Sequence, residues 1–373
     1  MFYLASGLYS PNTAPTNRIM AYVKALSDLG CDTEVVFFFP DNRHEKACQR
    51  YPHISFKYLW EKFYIDIPKL RVLFIRHNIS RFKRQLKKGD IVYVYGFPDL
   101  VKALSSIKDI KVFSEITEHP QASFVNFIKH TTIEEYLESV TKIEGVVTIS
   151  NALKQYLIEQ GCEWERVHII NMTVDKTRFE NVQKKESEPY IAYCGTATNT
   201  KDGVDQLIKA FAIVVKTHPN YKLYIIGSTP SKKERFGNLE LVKELEVENN
   251  VVFTGVVSSQ EMPHMLKNAE ILALDRPNNL QAKYGFPTKL GEYLLTGNPV
   301  VVTRVGDIPL FLENGKSALI AEPENPRDFA EKICWAIENP EEARCIGARG
   351  RQVAESSFDS MIETKKLVSI ING

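Results

Sequence analysis

The stretch YIAYCGTATNTKDGVDQLIKAFAIVVK, residues 190–216, decides how the chain is read. Tyr190–Cys194 is an unbroken apolar run, as expected of a strand buried on both faces. Gly195–Gly203 (GTATNTKDG) is small and polar and reads as a turn. Val204–Lys216 then repeats apolar residues with helical spacing. Strand, turn and helix in that order are the repeating element of a parallel, doubly wound sheet.

The alternation continues in both directions. Downstream, strands are expected at Lys222–Ile226, Val251–Thr254, Ile271–Leu274 and Pro299–Thr303. Helices are expected at Asn238–Val247, Ser259–Lys267 and Thr288–Thr296, and from Pro326 to the end. Upstream, strands are expected at Phe2–Ala5, Thr33–Phe39, Ile91–Tyr95, Lys111–Ser114, Val146–Ile149 and Val167–Ile170. A helix over Thr16–Leu29 stops at Gly30, and another over Ser150–Gln160 starts at a serine suited to the N-cap. The polar stretch Lys176–Pro189 separates the two runs and reads as a linker. The expectation is therefore an α/β protein of two Rossmann-like, doubly wound parallel-sheet domains. Their strand ends would face a central cleft, since ligands in such sheets bind beyond the C-terminal strand ends. The expected boundaries are 1–175, a linker at 176–189, 190–358, and a C-terminal helix at 359–373 packing back towards the first domain.

At 373 residues, each half can bury its own core. The net charge of +1 gives no global basic bias towards nucleic acid. No apolar run reaches the roughly 20 residues that span a bilayer. The N-terminal MFYLASGLYSPN reads as a first strand, not a signal peptide. Six scattered cysteines without a Cys-x-x-Cys pair argue against a zinc site and a disulfide framework, and fit a reducing, cytoplasmic location.

The strongest local signal is YGFPTKLGEYLLTG, residues 284–297. Gly285 and Pro287 suit a helix opening, and place Thr288 and Lys289 in its first turn. Exposed N–H groups, the helix dipole, a hydroxyl and a cation together fit a phosphate. Glu292, one turn on, could accept two hydroxyl hydrogens from a ribose diol. The same residues equally describe an amphipathic helix with a Lys289–Glu292 surface pair. In GTATNTKDG, Gly195 and Thr196 allow close backbone approach and Lys201 could neutralise a diphosphate, although an ordinary turn with a solvated lysine also fits. The loop Ser6–Asn17, with Gly7, Thr16 and Asn17, could wall a cleft and donate N–H groups, or be plain surface. EITEHP, residues 115–120, follows a buried strand; there Glu118 could orient or deprotonate an acceptor hydroxyl and His119 could stabilise developing charge. A structural histidine is the plainer alternative.

In this order the motifs resemble retaining glycosyltransferases of family 4, which have the GT-B fold. VVTISNALKQYL…RVHIINMTVDKTRF supplies Ser150, Asn171, Asp175 and Phe179 of the family's pattern, and IAYCGTATNTKDGVDQLIKAF, VVFTGVVSSQEMPHMLKNAEILAL and GFPTKLGEYLLTGNPVVVTRVGDIP follow in sequence. The resemblance implies transfer of a sugar from a nucleotide-sugar to a hydroxyl of a glycan or lipid-linked acceptor in bacterial surface polysaccharide or glycoconjugate assembly. It implies a first domain on the acceptor side, holding catalytic His119 and Glu118, and a second that binds the donor. There Gly195, Thr196, Lys201, Thr288 and Lys289 would meet the diphosphate, Glu292 the ribose, Val256 the base, and Tyr284, Gly285 and Phe286 the sugar. Two positions depart from the family: Tyr284 replaces the first glutamate of its E-x7-E motif, and Thr196 replaces an arginine. No Asp-x-Asp motif occurs, so no metal or other cofactor is expected.

The stretch Lys69–Lys88 (KLRVLFIRHNISRFKRQLKK) is basic, amphipathic and without acidic residues. It could lie on anionic lipid at the inner face of the membrane, or be a domain helix whose charges face water. Two rival functions share the layout: a nucleotide-sugar epimerase of GT-B fold, and a non-catalytic sugar-nucleotide-binding subunit. No nucleic-acid partner is expected.

Overall fold

The computed structural model describes residues 1–8, 13–39, 50–59, 68–123, 131–185, 188–229 and 231–373. The chain divides into two compact units: Met1–Thr173 with Ser360–Gly373, and Val174–Asp359.

Among the described residues, unit 1 holds seven parallel strands: β1 (Phe2–Leu8), β2 (Thr33–Phe39), β3 (Ile54–Tyr58), β4 (Ile91–Tyr95), β5 (Lys111–Ile116), β6 (Gly145–Thr148) and β7 (Val167–Ile169). Their order across the sheet is β3-β2-β1-β4-β5-β6-β7. The central strands are apolar runs covered on both faces, which is why they lack the alternation of a one-sided sheet. Leu4 lies between Val35 and Tyr93, and all three are buried. The helix Ala14–Asp28 lays Ile19, Tyr22, Val23 and Leu26 on this core. The final helix, Ser360–Asn372, adds Leu367 and Ile371 to the same cluster.

Among the described residues, unit 2 holds six parallel strands: β8 (Tyr190–Cys194), β9 (Lys222–Ile226), β10 (Val251–Gly255), β11 (Ile271–Leu274), β12 (Val300–Thr303) and β13 (Leu319–Ala321). Their order is β10-β9-β8-β11-β12-β13. The chain winds outward from β8 in one direction, then returns to β11 and winds outward in the other. The crevice between the ends of β8 and β11 is therefore the switch point at which such sheets bind ligands.

Two strands escaped the sequence reading, β3 and β13. β3 is an edge strand whose residues are half-buried or exposed, so it lacks the apolar run that marks the centre. β13 is only three residues long. The expected linker Lys176–Pro189 is instead part of unit 2 where it is described. Phe179 is buried there, and the Val174 N–H donates to the Phe358 carbonyl at 2.8 Å. One buried phenylalanine amid charges leaves little periodic signal.

Candidate active site

Three neighbouring strands of unit 2 have a glycine at or just past their C-terminal ends: Gly195 follows β8, Gly227 follows β9 and Gly255 closes β10. The Gly195 N–H donates to Ile226 O at 2.8 Å, and that of Gly227 to Gly255 O at 2.9 Å. A Cβ on Gly227 would stand 1.9 Å from the Gly195 carbonyl oxygen, so the strand ends pack backbone on backbone.

The helix Thr288–Leu295 is clipped onto the end of β8. The Tyr293 hydroxyl accepts from Cys194 N at 2.5 Å and donates to Cys194 O at 3.2 Å. Tyr293 is buried, and residues three and four back share its side of the helix. This docking is what brings Lys289 to the switch point. A Cβ on Gly195 would lie 2.2 Å from Lys289 Nζ, so the ammonium sits directly over that glycine.

Lys289 forms an ion pair with Asp202, bonds the Tyr193 hydroxyl at 3.1 Å, and stands 4.6 Å from the centre of the Tyr193 ring. The Tyr193 hydroxyl donates to Asp202 Oδ2 at 2.7 Å. Arg276, buried just beyond β11, places Nε 3.9 Å from Asp202 Oδ1. Burial pulls the Lys289 ammonium below its ordinary value, against the pull of Asp202. Burial would raise Asp202, but Lys289, Arg276 and the Tyr193 hydroxyl outweigh it and hold the carboxyl below its usual range. The result is a charged, nearly dry cluster in which cations outnumber the anion, beside a half-buried helix start.

The rim is built to close tolerances. Gly203, at φ +58°, packs against β11, where a Cβ would lie 2.1 Å from the Asp275 carbonyl oxygen. Asn279 Nδ2 donates to Thr200 O at 2.6 Å, tying the β11 loop to the short helix Asn199–Asp202 that carries Lys201. Lys201 is half-buried on that turn.

Glu292, one turn past Lys289, is 22% exposed and forms an ion pair with Arg178. Sequence reading missed Arg178, Asp202 and Arg276. Asp202 alone was signalled locally, because it falls where the GTATNTKDG turn carries its one acidic residue. Val256 is 74% exposed beyond Gly255, on the loop following β10. Tyr284 is half-buried at the end of the helix Leu280–Tyr284, and Gly285 follows it. The Phe286 side chain lies in an aromatic core with Phe311 and Phe358, at 5.5 and 5.4 Å between ring centres. That ring is spent on packing, so only its backbone is left for a ligand.

In unit 1, β5 ends beside Glu118 and His119. His119 is buried, its ring 4.3 Å from that of Tyr156, and its Nδ1 accepts from the Gln121 N–H at 3.3 Å. Glu118 is half-buried. Glu115 is engaged within the core, where its carboxylate accepts from Arg18 at 2.5 Å and from the Tyr93 hydroxyl at 2.6 Å. Arg18 also donates to the carbonyls of Ile170 and Asn171, at 3.0 and 2.7 Å, and so ties the helix Ala14–Asp28 to the end of β7. Gly7 lies within β1, Thr16 is buried, and Asn17 is exposed in the first turn of the helix. Residues 9–12 of the loop between them lie outside the described residues.

The basic stretch forms the helix Pro68–Gln85. Ile75, Ile79 and Phe82 are buried, with Phe82 against Tyr3 and Phe38 at 5.4 Å each. Arg76, Arg81 and Arg84 are exposed, as are Lys87 and Lys88 beyond the helix end. Most of the described apolar face is thus used by the core, leaving a basic outer face with Leu73 on it. The side chains of Lys69, Arg71 and Val72 lie outside the described part of the helix.

Among the described residues, no helix is long and apolar enough to cross a membrane, and no group of three His, Cys, Asp or Glu side chains is placed to hold a metal ion. A cavity of about 270 Å³ lined by Lys184, Glu270, Asn298 and Arg344 sits near the N-terminal ends of β11 and β12, the end of the sheet away from the cluster.

Residues 174–353 match the family model described as Glycosyl transferases group 1. The chain is 26% identical to N-acetyl-alpha-D-glucosaminyl L-malate synthase of Bacillus anthracis over 249 residues, 67% of this chain and 58% of that one. It is 24% identical to the putative colanic acid biosynthesis glycosyltransferase WcaL of Escherichia coli K12 over 240 residues, 64% of this chain and 58% of that one. The match thus spans under two thirds of the length of these two relatives. Among solved structures, Anabaena HepE in complex with UDP superposes with a TM-score of 0.75 at 15% identity, covering 100% of this chain and 99% of that one. At that identity the likeness establishes the fold alone, two Rossmann-like parallel-sheet units.

Proposed function

We propose, from the match of residues 174–353 to the glycosyl transferases group 1 model, that the chain is a glycosyltransferase that takes its sugar from a nucleoside diphosphate donor. One observation carries the reading: Lys289 lies over Gly195 at the switch point, at a helix start, with Glu292 one turn on. The donor diphosphate would accept from the amides around Thr288 and from Lys289 and Lys201, beside the backbone of Gly195 and Thr196. Glu292 would take the ribose diol, the loop at Val256 would meet the base, and the segment Tyr284–Phe286 the sugar.

As the sugar–phosphate bond breaks, negative charge collects on the leaving diphosphate. Donors already aimed at that charge, in a site that excludes water, are worth about 3–4 kcal/mol each. Lys289 and Lys201 would supply this charge stabilisation directly, so the reaction is proposed to run without a metal. His119 and Glu118 of unit 1 would serve the acceptor hydroxyl and the developing positive charge. UDP is the first donor nucleotide to test, because HepE, which shares the fold, is known in complex with it. Acceptors in bacterial polysaccharide or glycoconjugate assembly fit the names of the relatives.

The exposed basic face of the helix Pro68–Gln85 supports peripheral contact with an anionic membrane surface at its inner, cytoplasmic side. With the apolar face largely buried, that contact would be electrostatic and lost at high salt. Changing Arg76, Arg81 and Arg84 to Glu should abolish sedimentation with phosphatidylserine vesicles; failure of the unaltered protein to sediment at low salt refutes the contact.

The donor reading is tested by thermal unfolding with a panel of nucleotides and nucleotide-sugars. A ligand at one hundred times its Kd adds about 2.7 kcal/mol. For a unit of this size that raises Tm by about 5–10 °C. If no nucleoside diphosphate raises Tm, the donor site is wrongly assigned. If a nucleotide-sugar binds and is converted to an epimer without acceptor, the epimerase reading replaces transfer.

A further inference from the structure

Arg178 lies within RVHIINMTVDKTRF but was given no role there, yet its guanidinium meets two parts of the proposed donor site. Nη1 pairs with Glu292 Oε1, and Nη2 lies 3.4 Å from the carbonyl oxygen of Ser259. Ser259 follows Val256 on the loop beyond β10, and Glu292 is the proposed ribose ligand. One planar cation therefore bridges the loop expected to meet the base and the carboxylate expected to meet the sugar ring of the nucleoside.

The turn that presents Arg178 is held from several sides. The Asp175 side chain accepts from Thr177 N at 3.0 Å and from Thr177 Oγ1 at 2.7 Å. Phe179, the next residue, is buried at 5% exposure. Lys176 pairs with Asp359 at 2.9 Å. The arginine thus projects from a fixed base. Its side chain is 30% exposed and that of Glu292 is 22% exposed, so the pair is open to a ligand while shielded on its inner side.

We propose that Arg178 is a positioning residue that pins the Glu292 carboxylate and so gives the site its preference for ribose over 2′-deoxyribose. The claim rests on the donor-site reading and adds a residue to it. A lone glutamate on a helix face samples several rotamers, and freezing one of them opposes binding. Pairing one oxygen with a guanidinium makes that choice in advance and leaves the other oxygen to accept from the diol. Lysine, a point charge on a flexible stem, could not bridge Ser259 O and Glu292 in the same way.

The test compares binding of UDP with 2′-deoxy-UDP, and GDP with 2′-deoxy-GDP, by calorimetry. It uses the full chain and its Arg178→Met, Arg178→Lys and Glu292→Ala variants, with Tm recorded for each. A charge-assisted hydrogen bond to the 2′-hydroxyl should favour the ribonucleotide by about tenfold or more in the unaltered protein. Glu292→Ala should erase that preference. Arg178→Met should cut it to about threefold or less through weaker ribonucleotide binding, leaving 2′-deoxynucleotide affinity within about twofold. Arg178→Lys should fall between.

If the unaltered protein shows no preference, or Glu292→Ala retains it, the donor-site reading itself fails. If Glu292→Ala loses the preference and Arg178→Met keeps it in full, the role given to Arg178 is wrong. If Arg178→Met weakens both nucleotides in parallel, the arginine acts on the phosphates or on the fold, and the proposal is likewise overturned.

Discussion

Replacing Lys289 with methionine tests whether the switch-point cluster is a coupled buried unit. The Asp202 side chain is 2% exposed and that of Lys289 is 16% exposed. Without the ammonium, the carboxylate keeps the Tyr193 hydroxyl at 2.7 Å and Arg276 at 3.9 Å, neither of which replaces a direct ion pair. Breaking one side of a buried pair costs about 3–5 kcal/mol. Arg276 and the part-exposure of Lys289 put the expected loss at the low end, about 3 kcal/mol. Methionine has a similar volume, so a cavity adds little. For a unit of this size the loss lowers Tm by about 6–12 °C. Asp202→Asn should also destabilise, and the double variant should lose less than the two singles combined, because neither charge is then stranded. Calorimetric unfolding of the four proteins completes the cycle. Nucleoside diphosphate affinity should fall more than tenfold in Lys289→Met, the loss of one charge-assisted contact. Additive stabilities, or single changes within about 0.5 kcal/mol of the parent, would refute the coupled cluster.

Asp275 carries a pH-dependent prediction. Burial, with the charge of Asp205 adding to it, pushes its carboxyl from 3.8 up to about 7. A native value above the unfolded one means the associated stability is fully present below about pH 4 and is lost as pH rises through about 7. The loss is of order 4 kcal/mol between pH 4 and 8. Urea unfolding of Asp275→Asn should show a flatter stability profile across that window, and a slope equal to the parent's would count against the shift. Gly203→Ala forces a side chain at φ +58° towards a carbonyl oxygen 2.1 Å away. It should cost about 2–3 kcal/mol and lower donor affinity, read by unfolding and calorimetry. Turnover of a nucleotide-sugar should survive excess EDTA; loss of activity restored by a divalent ion would overturn the metal-free proposal.

Much of the local structure around the candidate site was legible because helix starts and glycine turns announce themselves locally. YGFPTKLGEYLL declares its helix opening by Gly285, Pro287 and the first apolar turn, and the helix does begin at Thr288. GTATNTKDG declares a strand-to-helix turn, and the structure adds to it the single helical turn that carries Lys201. Phe286 shows what a local signal omits. The resemblance implies a sugar contact at this segment, and the fold packs the Phe286 ring against Phe311 and Phe358 from later in the chain. The basic helix likewise showed an apolar stripe, but only packing against Tyr3 and Phe38 shows that the stripe faces the core.

By itself, the sequence determined two doubly wound parallel sheets. Buried apolar runs and helical periodicity are local properties, and repeated alternation admits few other architectures. It also placed a cation and a carboxylate on one helix face. Tertiary structure alone decided what those charges meet. Lys289 is answered by Asp202, 87 residues earlier, and Glu292 by Arg178, 114 residues earlier. Such pairings follow from where strand ends and loops converge in space. Charge carries no periodicity that reveals a partner so far along the chain.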